Sequence, residues 1–205
     1  MVEFFVKGGP FMYWILGVFI FGLIIVFERF YSLTAAELRT RSFLKDIERV
    51  LREEGPEAAR ELCEKSSSPV AAIYHEALSR LDQGLERVEK VIDSSGALEM
   101  AFLEKNQIWL TTVITLAPML GFLGTVSGMV SAFDDVAAAN DISPAIVASG
   151  ISEALLTTLF GLVVAVIVSI FQNWFMSRID KMVIDLEKSS VLLIDVLSEY
   201  MKEKK

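Results

Sequence analysis

Three long apolar stretches dominate the chain of 205 residues. They run from Phe11 to Phe27, from Ile108 to Phe133 and from Ala145 to Trp174, and Glu153 is the only charged residue inside them. A helix of roughly 20 apolar residues is long enough to cross a lipid bilayer. The pattern therefore predicts an all-α integral membrane protein with three transmembrane helices.

The first stretch is the shortest, and we interpret it as a membrane span rather than a cleaved signal peptide. Aromatic residues near its ends, Tyr13, Trp14, Phe30 and Tyr31, can lie at the membrane interface. Lys7 is the only positively charged side chain before the stretch, whereas signal peptides begin with a positively charged region. No small-residue cleavage site follows the stretch.

Positive charges cluster at one end of each predicted span. They follow the first span, precede the second and follow the third: Arg29, Arg39, Arg41, Lys45, Arg87, Lys90, Lys105, Arg178, Lys181 and Lys188. The connection from Asp134 to Ser149 contains three aspartates and no cation. Because Lys and Arg are enriched in cytoplasmic flanks, we expect the N-terminus outside, the C-terminus inside and long cytoplasmic helical extensions. No basic patch suggests a nucleic-acid partner.

These patterns divide the chain into six segments. We expect an N-terminal segment with the first span (1–33), a cytoplasmic helical segment (34–107), the second span (108–133), a short periplasmic connection (134–144), the third span (145–175) and a cytoplasmic C-terminal helix (176–205). Breakers predict separate helices Ser42 to Glu54, Pro56 to Lys65 and Val70 to Leu81. The helix from Leu85 is expected to run on into the second span.

The C-terminal segment has a periodic apolar face. Seven positions alternate by three and four: Ile179, Met182, Leu186, Ser189, Leu193, Val196 and Tyr200. This spacing is typical of a helix–helix seam. Self-association and packing against the extension of the second span would both satisfy it, and the sequence does not choose between them.

Residue types that carry covalent or metal chemistry are scarce. Cys63 and His75 are each the only residue of their type, which excludes an internal disulfide and makes packing or partial exposure the simplest interpretation of both. No zinc-protease, phosphate-loop or nucleophile-elbow motif occurs. We therefore expect neither an enzyme, nor a metal site, nor a cofactor.

Polar residues inside the predicted spans are arranged in two stripes. Helical spacing aligns Thr111, Thr115, Pro118 and Thr125 on the second span, and Thr158, Ser169 and Gln172 on the third. Such stripes either line a path or hold helices together, since a membrane-embedded Thr often bonds a carbonyl of its own helix. The glycines of the second span, Gly121, Gly124 and Gly128, are most simply close-packing positions.

Glu153 is the strongest functional candidate. An ionised carboxylate in hydrocarbon costs roughly 3 kcal/mol on insertion scales, so an acid within a span indicates a proton-linked role. The alternative is an interfacial position, since about 20 residues counted back from Gln172 reach Glu153 at the outer boundary.

Two runs carry a resemblance to a known family. They extend from Ala117 to Met129, with Pro118 and Gly124-Thr125-Val126, and from Gly150 to Leu162, with Glu153 and Gly161. Both resemble the signature of the MotA/TolQ/ExbB proton-channel family. The layout of three spans with a large insertion after the first is similar to the ExbB and TolQ branches and unlike the four-span MotA stators.

The resemblance implies a motor of the bacterial inner membrane. Such motors are homo-oligomeric rings, usually pentamers, around a single-span partner, ExbD or TolR, whose intramembrane Asp carries protons. The ring converts proton flow into movement that reaches the outer membrane through TonB or TolA. An ExbB-like role in nutrient uptake is expected first, and a TolQ-like role in envelope maintenance is the alternative. A non-conducting scaffold and a flagellar stator are further alternatives.

The resemblance also assigns roles to individual residues. Glu153 matches the glutamate of the third span, Thr125 the threonine of the Gly-Thr-Val motif, and Thr158 the pore-facing threonine. Pro118 matches the family's proline, and packing or kink positions are expected at Gly121, Gly124, Gly128 and Gly161. Ser152 and Thr157 depart from the small residues common there, and we expect their extra hydroxyls to hydrate the site.

Overall fold

The computed structural model describes residues 8–139 and 144–203, and every regular element within them is helical. The elements are α1 (Phe11–Glu53), α2 (Pro56–Lys65), α3 (Pro69–Leu78), a 3₁₀ turn (Leu81–Gln83), α4 (Leu85–Leu103), α5 (Gln107–Ala139) and α6 (Pro144–Glu203). The apolar stretches lie in α1, α5 and α6, and each is long and apolar enough to cross a membrane. The predicted all-α membrane fold with three candidate spans is therefore confirmed.

The described residues within 1–28 and 106–174 form one compact unit, which contains the three apolar stretches. Its core is built from side chains of α1, α5 and α6: Met12, Ile15, Val26, Leu110, Val113, Ala117, Ala154, Val164 and Val168. Large apolar side chains also cover its outside, including Phe27 at 71% exposure and Phe122 at 65%. An apolar exterior of this kind is suited to lipid rather than to water.

Residues 29–105 and 175–205 form the second unit. Six of the seven predicted seam positions on α6 are buried in it: Ile179, Met182, Leu186, Ser189, Leu193 and Val196. The hydroxyl of Tyr74 on α3 donates a hydrogen bond of 2.7 Å to the Ser189 carbonyl. Leu186 and Val191 of α6 line one cavity together with Ile92 of α4. The burial of these six positions and the bond from Tyr74 show that the seam is covered within one chain, by α3 at Ser189.

The predicted breaks between the short helices are confirmed. Gly55 and Gly84 have φ values of 92°, which few other residues adopt, and they end the preceding elements. The Ser68 hydroxyl caps α3 by accepting a bond of 3.1 Å from the Ala71 amide. Pro56 and Pro69 each occupy the first turn of a helix.

Three helix limits differ from the predictions. The helix expected to reach Leu81 ends at Leu78, and Leu81 instead begins the 3₁₀ turn. Ser42 does not begin a helix, because α1 continues without interruption to Glu53. The expected continuous helix from Leu85 into the second span is wrong, because α4 ends at Leu103 and α5 begins at Gln107. Asn106 between them has a φ of 65°, and Asn tolerates this left-handed conformation better than most residues.

The connection between the second and third spans falls partly outside the described residues. α5 reaches Ala139 and α6 begins at Pro144, so Asp141 and Ser143 lie in the part not described. From Pro144, α6 continues as one helix to Glu203. The membrane boundaries within these helices stay predictions.

Candidate functional site

Small residues bring α5 and α6 into close contact. A Cβ atom at Gly161 would lie 2.5 Å from the Ala117 carbonyl oxygen, and one at Gly121 would lie 2.9 Å from the Thr157 carbonyl oxygen. At Gly124 it would lie 2.6 Å from the Thr157 hydroxyl. Side chains larger than hydrogen would therefore force the backbones apart at these positions.

The same interface continues toward the end of α5. A Cβ at Gly128 would lie 3.2 Å from the Ala154 Cβ, and one at Gly150 would lie 2.3 Å from the Ala132 Cβ. The predicted glycines Gly121, Gly124, Gly128 and Gly161 all lie on this contact between α5 and α6.

Threonine hydroxyls form a cluster within this interface. The Thr125 and Thr158 hydroxyls hydrogen-bond to each other. The Gly121 carbonyl lies 3.2 Å from the Thr125 hydroxyl and 3.1 Å from the Thr158 hydroxyl, and the Ala154 carbonyl lies 3.2 Å from that of Thr125. The cluster is therefore shared between both helices rather than confined to one.

This arrangement offers more acceptors than protons. A Thr hydroxyl donates one proton and accepts up to two bonds. Thr125 and Thr158 together have two protons, whereas the two carbonyls and the two hydroxyl oxygens all accept. Rotation of either hydroxyl changes which acceptor is bonded without moving the helices. The cluster can thus rearrange its hydrogen bonds, as a proton path requires.

Thr157 is a member of the cluster whose role the sequence interpretation missed. Its hydroxyl donates to the Ala154 carbonyl at 2.7 Å or the Gly121 carbonyl at 3.2 Å, and the residue is 1% exposed. The expectation that this extra hydroxyl hydrates the site is wrong, because both acceptors and the burial place it inside the helix contact. Small residues at Gly150, Ala154 and Gly161 flank it at helical spacing, which is the signal that indicates a packed face.

Glu153 lies one residue before the Ala154 carbonyl but on another side of α6. At 3.6 residues per turn, Glu153 and Thr158 are separated by roughly 140° around the helix axis. The Glu153 carboxylate lies against Gly9, in the turn before α1, where a Cβ would lie 2.9 Å from the Glu153 Cδ. The structure therefore brings Thr125 and Thr158 together. It does not bring the Glu153 carboxylate to them, because that carboxylate lies against Gly9 before α1.

Pro118 lies within α5, and the helix continues through it. A proline has no amide hydrogen, so the Ile114 carbonyl has no helical donor at this position. The next turn contains Gly121, whose carbonyl accepts hydrogen bonds from the Thr125 and Thr158 hydroxyls. Pro118 thus lies one turn from the cluster, and its role at a kink or packing position stays a prediction.

The two predicted polar stripes meet at a second point. The Gln172 amide donates a hydrogen bond of 2.6 Å to the Thr111 hydroxyl, which lies about 21 Å along α5 from Thr125 at 1.5 Å per residue. Thr115 instead bonds carbonyls of its own helix, at 3.1 Å and 3.0 Å. Polar contacts between α5 and α6 therefore occur at two levels along the helix axes.

Comparison with known proteins gives these features a context. Residues 34–188 match the model of the MotA/TolQ/ExbB proton channel family. A putative biopolymer transport protein ExbB-like 3 from Synechocystis is 31% identical over 168 residues, which cover 80% of this chain and 79% of that protein. A putative ExbB homolog from Methanothermobacter thermautotrophicus is 32% identical over 182 residues, covering 88% of this chain and 64% of its own length.

Similarity to the TolQ branch covers less of the chain. The Tol-Pal system protein TolQ from Pseudomonas aeruginosa is 32% identical over 102 residues, which cover 50% of this chain and 44% of that protein. The family match, the coverage by ExbB-like relatives and the three candidate spans together show that this multi-pass membrane protein belongs to the MotA/TolQ/ExbB proton channel family, and is not an enzyme.

Proposed function

We propose that this chain is the channel-wall subunit of a proton-driven motor in the bacterial inner membrane. In an ExbB-like role, it works with an ExbD-like partner to convert the proton motive force into mechanical energy for TonB-dependent transport across the outer membrane. The observation that carries the proposal is the hydrogen bond between Thr125 and Thr158, within a contact of two apolar membrane helices.

Packing alone accounts poorly for the cluster. Interhelical hydrogen bonds in membranes are worth only about 0.6 to 2 kcal/mol, and glycine and alanine already allow the close approach here. Three hydroxyls at one level of the interface add exchangeable protons that apolar packing does not need. We assign Thr125 and Thr158 to the proton path, with Gly121, Gly124, Gly128 and Gly161 holding the helices at the required distance.

We assign to Glu153 the role of the carboxylate that attracts protons at the outer end of this path. It is the only acid in the apolar stretches, and it lies in α6 next to the carbonyl that Thr125 and Thr157 contact. A carboxylate at this position attracts protons and interacts with a cationic or protonated group that passes.

The moving part of the motor is assigned to a partner. The apolar stretches contain no Asp, so we propose that a single-span ExbD-like or TolR-like helix supplies one inside a homo-pentameric ring of this chain. One charge that crosses 100 mV releases about 2.3 kcal/mol, enough to bias rotation between nearly equal packings. A mostly apolar wall with few hydroxyls lets such a helix turn without being trapped.

Orientation follows the charge distribution. We place the N-terminus outside and the second unit, residues 29–105 and 175–205, in the cytoplasm. The reason is that Lys and Arg residues lie next to each span end that adjoins this unit in the sequence. Two of these cations, Arg41 and Arg178, pair with Glu37, the former at 2.6 Å. Movement of the partner then reaches TonB or TolA on the opposite side of the membrane.

Copurification from native membranes tests this assignment. The chain is extracted in mild detergent, and the intact mass and composition of its complex are measured by mass spectrometry. We expect an oligomer that contains a small single-span protein with an intramembrane Asp. A TolR-like partner would favour the envelope-maintenance alternative, which the similarity to TolQ over half of the chain supports. An oligomer without such a partner would contradict the motor and favour a non-conducting scaffold.

A further inference from the structure

The carboxylate of Glu153 lies in direct contact with the backbone of Gly9. A Cβ built on Gly9 would overlap the Glu153 Oε1 atom and would lie 2.9 Å from Cδ and 3.5 Å from Cγ. The carboxylate therefore occupies the space that a side chain at position 9 would need. Both residues belong to the same compact unit.

The turn that carries Gly9 is tied to α1. The Gly9 carbonyl accepts a bond of 3.3 Å from the Met12 amide, and the Pro10 carbonyl accepts one of 3.3 Å from the Tyr13 amide. Met12 is fully buried, and its side chain fills the space beside Gly8, where a Cβ would lie 2.5 Å from Cγ. The turn cannot move away from Glu153 without disturbing the first turn of α1.

Two independent features require glycine at position 9. Its φ of 67° is a left-handed conformation in which a Cβ is strained. The contact with Oε1 excludes a Cβ for a second, steric reason. By contrast, a Cβ at Gly17 in α1 would meet nothing within 4 Å.

The location also has an electrostatic consequence. The N-terminus of a helix carries a partial positive charge from its unpaired amides, which stabilises a nearby anion. Gly9 and Pro10 precede α1, which begins at Phe11, so the Glu153 carboxylate lies at this end of the helix. The turn therefore contributes both contact and charge to the position of the carboxylate.

We propose that Gly9 is a positioning residue for Glu153. The turn of Gly8, Gly9 and Pro10 holds the carboxylate in one place, covers it on the side of α1 and limits the rate at which it exchanges protons with water. This inference rests on the proton-linked role proposed for Glu153. It assigns a task in the same site to the segment before the first span.

Chemical labelling of Glu153 tests the proposal in the intact complex. A water-soluble carbodiimide with an amine nucleophile converts accessible carboxylates to amides, and mass spectrometry gives the rate at Glu153. The exposed carboxylate of Glu86 serves as an internal reference. We expect Gly9→Ala to raise the labelling rate of Glu153 severalfold relative to Glu86, and Gly17→Ala to leave it unchanged.

A shorter acid provides the matching rescue. Asp is one methylene shorter than Glu, so Glu153→Asp withdraws the carboxylate from a Cβ at position 9. We expect the labelling rate of the Gly9→Ala, Glu153→Asp double variant to equal that of Glu153→Asp alone. A purely structural effect of Gly9→Ala, through strain in the turn, would persist in the double variant and would contradict the positioning role.

A measurement without any substitution guards against misfolding of the variants. Solid-state NMR on the complex in lipid, with Gly and Glu labelled with carbon-13, should show a contact between the Gly9 Cα and the Glu153 Cδ. Absence of this contact, or equal labelling of Glu153 in wild type and Gly9→Ala, would overturn the proposal. If the contact is present but Glu153→Ala keeps full proton-driven activity, the proposed function fails, and the functional part of this inference fails with it.

Discussion

The hydroxyls of Thr125 and Thr158 hydrogen-bond to each other in the contact between α5 and α6, and both lie within bonding distance of the Gly121 carbonyl. The relationship joins two residues that are 33 positions apart in the chain. It converts two separate polar stripes into one cluster. Whether this cluster conducts protons or only holds the helices together decides how substitutions of its hydroxyls act.

Removing either hydroxyl should impair the motor and spare its assembly. Thr125→Val and Thr158→Val keep side-chain shape, and the lost interhelical bond is worth about 0.6 to 2 kcal/mol, too little to dissociate a well-packed complex. We expect proton-driven activity to fall at least tenfold with the intact mass of the complex unchanged. Thr112→Val is the matched control, since the Thr112 hydroxyl is exposed and bonds the carbonyl of Ile108 in its own helix. Dissociation of the ring in both variants would support the packing interpretation instead.

Adding one methyl group at Gly161 should separate α5 from α6. The new Cβ would lie 2.5 Å from the Ala117 carbonyl oxygen. Because this oxygen is a backbone atom, no side-chain rotation can relieve the overlap. Overpacking of this kind costs typically about 1 to 3 kcal/mol. Thermal unfolding in detergent should show a lower midpoint for Gly161→Ala. Gly96→Ala, where a Cβ meets nothing within 4 Å, should not lower it. Equal midpoints for wild type and Gly161→Ala would contradict the close contact.

The second polar contact should matter for conduction. Gln172→Leu preserves volume but removes the amide that donates to the Thr111 hydroxyl. We expect a severalfold lower proton flux with unchanged thermal stability, because the contact is partly exposed and contributes little to packing. Asn173→Leu, at the neighbouring exposed position, is the control. Unchanged flux in Gln172→Leu would restrict the proton path to the level of Thr125 and Thr158.

Cys63 should be unreactive in the folded protein. It is buried in α2, and burial raises the pKa of its thiol to about 12. The thiolate fraction at neutral pH is then roughly a thousandfold lower than for an exposed cysteine. We expect alkylation to be far slower in the native than in the denatured protein. Similar rates in both states would show that α2 is not packed as described.

The same raised pKa has a consequence for stability. Because the folded-state pKa of Cys63 exceeds its unfolded value of 9.0, the stability gained by burying the neutral thiol is complete below pH 9. It is lost as the pH rises from 9.0 to about 12. Denaturant titrations of wild type and Cys63→Ala should converge over this range. A constant difference between the two proteins would contradict the burial effect.

Much of the fold was predictable because it depends on local patterns. The three apolar stretches gave the long helices, Gly55 and Gly84 gave two of the breaks, and the seam on α6 gave a buried face. Periodicity identifies a face but not the element that covers it. The bond from Tyr74 to the Ser189 carbonyl is therefore seen only in the structure. The break at Asn106 was missed because the polar residues Glu104, Lys105 and Asn106 include neither Gly nor Pro, the residues that mark a helix end most strongly.

The candidate site was predictable only in part. Helical spacing aligned Thr125 and Thr158 with their stripes, and the resemblance named them with Glu153. Neither indicated that Thr157 lies inside the interface, since its packing depends on the rotation of α6 against Gly121. The contact of Glu153 with Gly9 joins residues that are far apart in the sequence. Such a contact depends on how three helices assemble, which no local pattern encodes.

Proton uptake into proteoliposomes tests the central claim most directly. The complex purified with its partner is reconstituted, a potential is imposed across the membrane, and an internal pH dye reports uptake in wild type, Glu153→Gln, Glu153→Ala and Glu153→Asp. We predict uptake in wild type, none above empty liposomes in Glu153→Gln and Glu153→Ala, and partial uptake in Glu153→Asp. Uptake in Glu153→Gln equal to that of wild type, in complexes of the same mass, would contradict the account.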